Sequence, residues 1–237
     1  CKQEKKEQGT IELPQDKECS EDAQLIFEEN FESGGFESEV FDVRVSGNTP
    51  EVIQTEDAPE GTYILKSQIT PDRENLYRTE LSIRDESLLF EPGKEYWVGI
   101  STKFGTDFIY PSSFNDQGMI MQWHTYGWLR PEVPDAQPLV FRYYENEVHI
   151  QCEMLDEELG AVPAKIGEWV DWVIHVKFDN EEGIFQVWWI GTQVVDWTGD
   201  NHQEEMVEDA YMKFGLYSAQ FNPVKDFVIS MPEGESR

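Results

Sequence analysis

Three short segments carry polar side chains of related chemistry at every second position. In Tyr211-Met212-Lys213-Phe214-Gly215-Leu216-Tyr217, an extended backbone sends Tyr211, Lys213, Gly215 and Tyr217 to one face and Met212, Phe214 and Leu216 to the other. In Ile120-Met121-Gln122-Trp123-His124, Gln122 and His124 project together, opposite Met121 and Trp123. In Arg78-Thr79-Glu80-Leu81-Ser82-Ile83, Arg78, Glu80 and Ser82 oppose Thr79, Leu81 and Ile83. If the apolar faces turn inward in one sheet, Arg78, Glu80, Gln122, His124, Lys213 and Tyr217 meet on a single open surface.

A face rich in donors and poor in carboxylates excludes several reactions. Glycoside hydrolysis usually needs two carboxylates flanking the bond, and no acid-rich ExDxxE strand is present. The GxSxG elbow of serine hydrolases and the HExxH helix of metalloproteases are absent as well. The set suits β-elimination from a uronic acid, in which a base takes the C5 proton, the neighbouring carboxylate gathers negative charge and the C4 oxygen leaves with a proton. That carboxylate has to be met by donors where its charge develops, and Gln122, Arg78 and His124 are of the right type. A phenol ionises near pH 10 unless positive neighbours stabilise its anion; Lys213 and Arg78 are such neighbours for Tyr217, the candidate proton carrier. His124 is then base or carboxylate-orienting partner.

The elements that hold these residues read as strands. Short alternating segments (VFDVRV, GTYILKSQI, YRTELSI, EYWVGISTKF, GMIMQWH, LVFRYY, EVHIQCEM, WVDWVIHVKF, IFQVWWI, TQVVDW, YMKFGLYS, DFVISM) are punctuated by Gly, Pro, Asn and Asp. Many strands at near-regular spacing predict an all-β sandwich of two antiparallel sheets. Trp172, Ile174, Val176 and Phe178 share one face, and the turn at 179–183 leads into a hairpin. His175 and His149 alternate with apolar residues and read as surface or back-sheet residues rather than catalysts, and His202 sits in an acidic loop. Tyr126-Gly127-Trp128-Leu129-Arg130-Pro131 either walls a cleft with stacking surfaces or simply packs.

The chain of 237 residues fits one large β domain at 23–237, preceded by a polar, charged segment at 1–22 that reads as a flexible tether. A formal charge of −30, from 48 acidic and 18 basic residues, excludes the run of phosphate contacts that nucleic acid demands. No apolar run is long enough for a membrane helix. Cys1 followed by a charged spacer predicts a bacterial envelope lipoprotein, secreted to the outer membrane or periplasm and tied to the membrane only by lipid on Cys1. Cys19 and Cys152 could pair in an oxidising compartment, or Cys152 is a buried thiol. No cofactor is required; a structural calcium ion is possible on the acidic side chains, although no EF-hand spacing occurs. A monomer is the expected state.

At the residues that carry the chemistry, the chain resembles jelly-roll polysaccharide lyases. YMKFGLYSAQ resembles their Tyr-x-Lys-x-Gly-x-Tyr signature, while QWH and RTE match the accompanying Gln-x-His and Arg-x-Glu segments in the same order. The wider context is most similar to the heparin lyase I and glucuronan lyase superfamily, with the signature shared by alginate lyases. The resemblance implies a β-jelly roll acting on an anionic polysaccharide, with Tyr217 and His124 as acid and base, Gln122 and Arg78 on the uronate, and Lys213 and Glu80 lining the substrate site. Alginate lyases commonly carry Arg-x-Glu-x-Arg, and the last position here is Ser82, which counts against alginate. The shortage of basic clusters counts against sulfated heparin. A non-catalytic carbohydrate-binding jelly roll and a ligand-free surface lipoprotein are the competing readings; the first needs no acid–base pair, and the second leaves the polar face unexplained.

Overall fold

The computed structural model describes residues 24–46, 48–69, 77–108, 117–125, 137–201, 210–218 and 226–230. The expected tether with Cys1 and Cys19, the loop at 126–131 and His202 lie outside the described residues. The strands run β1 (Phe41–Val45), β2 (Glu51–Gln54), β3 (Tyr63–Gln68), β4 (Tyr77–Ile83), β5 (Glu95–Phe104), β6 (Gly118–His124), β7 (Leu139–Tyr144), β8 (Glu147–Cys152), β9 (Glu157–Pro163), β10 (Trp169–Lys177), β11 (Gly183–Trp189), β12 (Thr192–Gly199), β13 (Tyr211–Ser218) and β14 (Asp226–Ser230). They form two seven-stranded sheets, ordered β1-β4-β13-β6-β7-β8-β9 and β12-β11-β10-β5-β14-β3-β2. All pairings between these strands are antiparallel. The architecture is the sandwich of two antiparallel sheets that the alternation predicts, and the jelly roll that the resemblance implies.

The core lies between the sheets and is built by that same alternation. Met212, Phe214 and Leu216 of β13, Leu81 and Ile83 of β4, and Met121 and Trp123 of β6 face inward from the first sheet. Trp172, Ile174 and Val176 of β10 and Phe185 and Val187 of β11 meet them from the second. Aromatic edges bridge the two layers, as where the Phe141 ring meets Trp172 at 5.4 Å and 87°. Each such side chain taken out of water contributes about 1.5–3 kcal/mol, so the inward half of every strand commits the outward half to its face. Tight turns hold the register: Glu145 and Asn146, both at positive φ, close the β7–β8 hairpin.

Two edge strands escape the sequence pattern. β2 and β9 carry mostly exposed or half-buried residues, so neither shows an apolar face that alternation could reveal. Of the acidic stretch from Asn201 to Ala210, which reads as a loop or a single turn, residues 202–209 lie outside the described residues.

Between β4 and β6, β13 departs from regular pairing. Phe214 faces Met121 and Tyr217 faces Met119, so β13 has one residue more than β6 over this span. Across the next seam, Met119 faces Arg142 and Met121 faces Phe141, which leaves Ile120 as an extra residue in β6. Both irregularities are β-bulges, which re-aim side chains. The one in β6 turns Ile120 into the core and leaves Met119 outside the core cluster. Gly215 takes a φ of +132°, and a Cβ there would stand 2.3 Å from the Thr79 carbonyl oxygen and 2.8 Å from the Glu80 Cα. The Gly of the Tyr-x-Lys-x-Gly-x-Tyr segment is therefore set by backbone approach to β4. Gly215→Ala should lower stability by at least about 1–3 kcal/mol, read by urea denaturation; an unchanged midpoint would show that β13 accommodates a side chain there.

Candidate functional site

The sheet order brings the three polar segments side by side. β13 lies between β4 and β6, with Tyr217 opposite Arg78, Gly215 opposite Glu80, Lys213 opposite both Ser82 and Gln122, and Tyr211 opposite His124. All six candidate residues stand on one face of one sheet. That face is not the open surface the sequence suggests. Glu80 and Gln122 are 0% exposed, His124 and Lys213 are buried, and only Arg78 and Tyr217 are partly accessible. Neighbouring strands are about 4.8 Å apart, so long side chains from three adjacent strands lie against one another rather than standing in solvent.

Glu80 organises the cluster. Its Oε1 accepts a 2.7 Å hydrogen bond from Gln122 Nε2, and its Oε2 stands 3.0 Å from Arg78 Nε as an ion pair. Glu80 thus braces Gln122 from one side and Arg78 from the other. Burial pushes its carboxyl above the ordinary range, against the opposing pull of Arg78, Lys213 and the Gln122 hydrogen bond. The Arg78 guanidinium carbon lies over the Tyr217 ring, 4.4 Å from its centroid, within the range of a cation–π contact.

At the other end of the face, His124 Nδ1 is 2.8 Å from the Thr125 carbonyl oxygen. A carbonyl only accepts, so Nδ1 carries the proton and, in the neutral ring, Nε2 is the basic nitrogen. The Tyr211 ring lies 5.6 Å from His124 and 5.2 Å from Lys213 Nζ. Tyr211 is a member of the cluster that the sequence reading left without a role, although the strand period already put it on this face. Tyr217 and His124 stand toward opposite ends. Tyr217 lies six positions along β13 from Tyr211, the partner of His124, about 20 Å of backbone at the usual strand rise, with Gln122 and Lys213 between them.

The polar face continues beyond the three segments. Met119 pairs with Tyr217 on one side and with Arg142 of β7 on the other, and Arg142 pairs with His149 of β8. Arg142 is buried and ion-paired with Glu153. The His149 ring stacks on Tyr144 at 3.7 Å and 6°, and its Nδ1 is 2.9 Å from Glu158 Oε2. Burial and the neighbouring Glu158 carboxylate push the Tyr144 hydroxyl up to about 12. His149, read from its strand as a surface or back-sheet residue, thus shares the sheet face that carries Tyr217. His175 belongs to the second sheet. Cys152 is a free thiol within the core, and burial pushes it up to about 11. Among the described residues no group of three or more His, Cys, Asp or Glu is arranged to hold a metal ion, and no helix is long and apolar enough to cross a membrane.

Comparison with known proteins bears on this geometry. A family model described as polysaccharide lyase matches residues 36–230. No curated protein sequence matches the chain. The fold is similar to the endo-β-1,4-glucuronan lyase of the fungus Trichoderma reesei, with a TM-score of 0.59 at 16% identity over 80% of this chain and 88% of that one. It is also similar to alginate lyase A1-II', with a TM-score of 0.57 at 10% identity over 85% of this chain and 96% of that one. The catalytic domain of a glycoside hydrolase family 131 protein from Coprinopsis cinerea gives a TM-score of 0.57 at 12% identity, over 90% of this chain and 96% of that one. Lyases and a hydrolase thus share the sandwich, so the fold by itself does not select the reaction.

The buried Glu80 carboxyl makes a pH-dependent contribution to stability. Its pKa is raised in the folded chain, so the folded state binds the proton more readily than the unfolded one. The stabilisation is complete below the ordinary value of 4.5 and is lost as pH rises through the raised value. Thermal unfolding of the wild type and Glu80→Gln across about pH 4–8 should show the wild type gaining on the variant as pH falls. A difference that stays flat, or widens toward alkaline pH, would show that Arg78 outweighs burial at this carboxyl.

Proposed function

The chain belongs to the polysaccharide lyase family, and on that premise we propose that it cleaves an anionic, uronate-containing polysaccharide by β-elimination, with Tyr217 and His124 as the acid–base pair. A glucuronan-like chain is the favoured substrate and alginate the next. The observation that carries this reading is the buried Glu80 bracket, which holds Gln122 by a 2.7 Å hydrogen bond and Arg78 by a 3.0 Å ion pair on the same face as Tyr217. A bracket of this kind keeps donors aimed at one place before any ligand arrives, which is what stabilising a developing anion requires.

In the proposed reaction a uronate lies over Gln122, between Tyr217 and His124, with its carboxylate met by Arg78 and the amide of Gln122. Loss of the C5 proton drives electrons into a new C4–C5 double bond, the C4–O bond breaks, and the departing oxygen takes up a proton. Tyr217 is the proton carrier because it is partly accessible and has the Arg78 guanidinium against its ring; Tyr211 is buried. His124, with Nδ1 tied to Thr125, offers Nε2 as base or as partner to the carboxylate. Lys213 adds positive charge between the two ends of the site. Ser82, opposite Lys213, stands where alginate lyases commonly carry a second Arg, which favours glucuronan over alginate.

The test is ultraviolet absorbance of the unsaturated uronate product during incubation with glucuronan, alginate, ulvan and heparin-type chains. Absorbance should rise on glucuronan most strongly. Tyr217→Phe and His124→Ala should each lose about 100-fold or more in turnover, whereas Tyr211→Phe should retain most of it. No product from any polymer, together with polymer binding that survives both changes, would identify a carbohydrate-binding protein instead.

A further inference from the structure

The outer face of the second sheet carries an aromatic surface that the eliminative site does not use. Trp97 of β5 stands directly across from His175 of β10, and Trp188 of β11 stands across from Val173, so the two indoles flank β10 on a diagonal. The Trp97 ring lies flat on the His175 ring, with centroids 4.1 Å apart and planes within 5°. Trp188 meets Trp97 at 5.5 Å and 27°. One face of Trp97 is thus covered by the imidazole while the residue stays 59% exposed, beside the exposed Val173.

A polar network beneath the indoles fixes this arrangement. His175 Nε2 is 3.1 Å from Glu95 Oε2, and Nδ1 is 2.9 Å from Gln186 Oε1. Gln186 turns its oxygen to the histidine because its Nε2 donates to Asp196 Oδ1 at 2.8 Å. Both ring nitrogens therefore face acceptors, and the nitrogen that carries the proton ties the ring supporting Trp97 to its neighbour. Single exposed apolar residues are ordinary. An indole held flat, next to a second indole and rimmed by carboxylate and amide groups, is a preorganised stacking surface with hydrogen-bonding groups at its edge.

We propose that Trp97 and Trp188 form a second glycan-binding site, separate from the eliminative face, which takes a neutral segment of a polysaccharide by stacking sugar rings on the indoles. The charge of the rim selects the ligand. Glu95 and Asp196 repel a run of uronates but accept hydrogen bonds from sugar hydroxyls, and Lys177, two residues along β10 from His175, is ion-paired with Asp179 and Glu182. A second copy of the chain is a poor occupant. A stable dimer covers about 800 Å² per partner with about 20 or more residues, whereas the large exposed hydrophobics beside His175 are Trp97 and Val173, and two chains of formal charge −30 repel.

The experiment is native gel electrophoresis through soluble neutral polymers (a β-glucan, a xylan and a galactomannan), with tryptophan fluorescence titration on whichever retards the chain. At least one polymer should retard the wild type, and Trp97→Ala or Trp188→Ala should weaken binding by at least about tenfold, with Trp97→Tyr recovering most of it. Tyr217→Phe should bind the neutral polymer like the wild type, so this outcome is read independently of any elimination activity. The proposal is overturned if no neutral polymer retards the chain, or if the alanine variants bind like the wild type. Sedimentation showing a wild-type dimer that Trp97→Ala dissociates would also overturn it, by assigning the patch to a second copy.

Discussion

One carboxylate placed wholly out of water constrains the polar face. Glu80 has no exposure, and an ionised group so buried costs several kcal/mol unless partners answer it. Arg78 and Gln122 answer it, and each is fixed by doing so. Gln122 cannot turn its amide freely, because one nitrogen is committed to Oε1. Arg78 cannot swing out into solvent without leaving Oε2, and in its held position it covers the Tyr217 ring. Breaking such a bracket would do more than remove one charge. It would free two donors and uncover a phenol at once.

The bracket can exist only because β13 approaches β4 closely at Gly215. The residue pairs with Glu80, and its missing side chain lets the Thr79–Glu80 backbone come within a distance that no Cβ would permit. The bulge that follows in β13 meets an offset bulge in β6 at Ile120. Together they move Met119 out of the core pattern and set it between Tyr217 and Arg142. Packing and chemistry are coupled here through the backbone. Met121, Phe214 and Leu216 hold the inner side of the same residues whose neighbours form the polar outer side.

What the sequence reveals and what it hides follow from one physical rule. Period-two alternation shows which side chains share a face along a strand, so Arg78 with Glu80, Gln122 with His124, and Lys213 with Tyr217 are legible one strand at a time. Their union required only that β4, β13 and β6 be neighbours, which the sheet order supplies. Alternation says nothing about register between strands. Arg142 and Tyr144 therefore carry no reading from the sequence and His149 reads only as a surface or back-sheet residue, since their relation to Tyr217 runs through Met119 and a bulge. β2 and β9 are hidden for the opposite reason: their burial does not alternate along the strand, so no period-two face shows in the sequence. Burial of the site was also illegible, because a polar strand face reads as solvent-exposed until its neighbours are long side chains with opposite charge.

The net charge of this chain acts at long range, whereas the arrangement of individual charges acts at the polar face. A formal charge of −30 should repel a polyanion at long range, but salt at physiological strength confines that repulsion to about 8 Å. Within that distance the polar face offers Arg78, Lys213 and Arg142 on three strands of one sheet. Arg142 is ion-paired with Glu153 and Arg78 with Glu80, so the face is one of compensated pairs rather than a basic patch. Compensated pairs discriminate by geometry: a carboxylate gains only where it meets donors already aimed at it, and a densely sulfated chain finds too little excess charge to neutralise its own. The aromatic face of the second sheet follows the same logic from the other side. There the carboxylates of Glu95 and Asp196 serve as acceptors around an indole stack, a combination that suits hydroxyls and excludes anions.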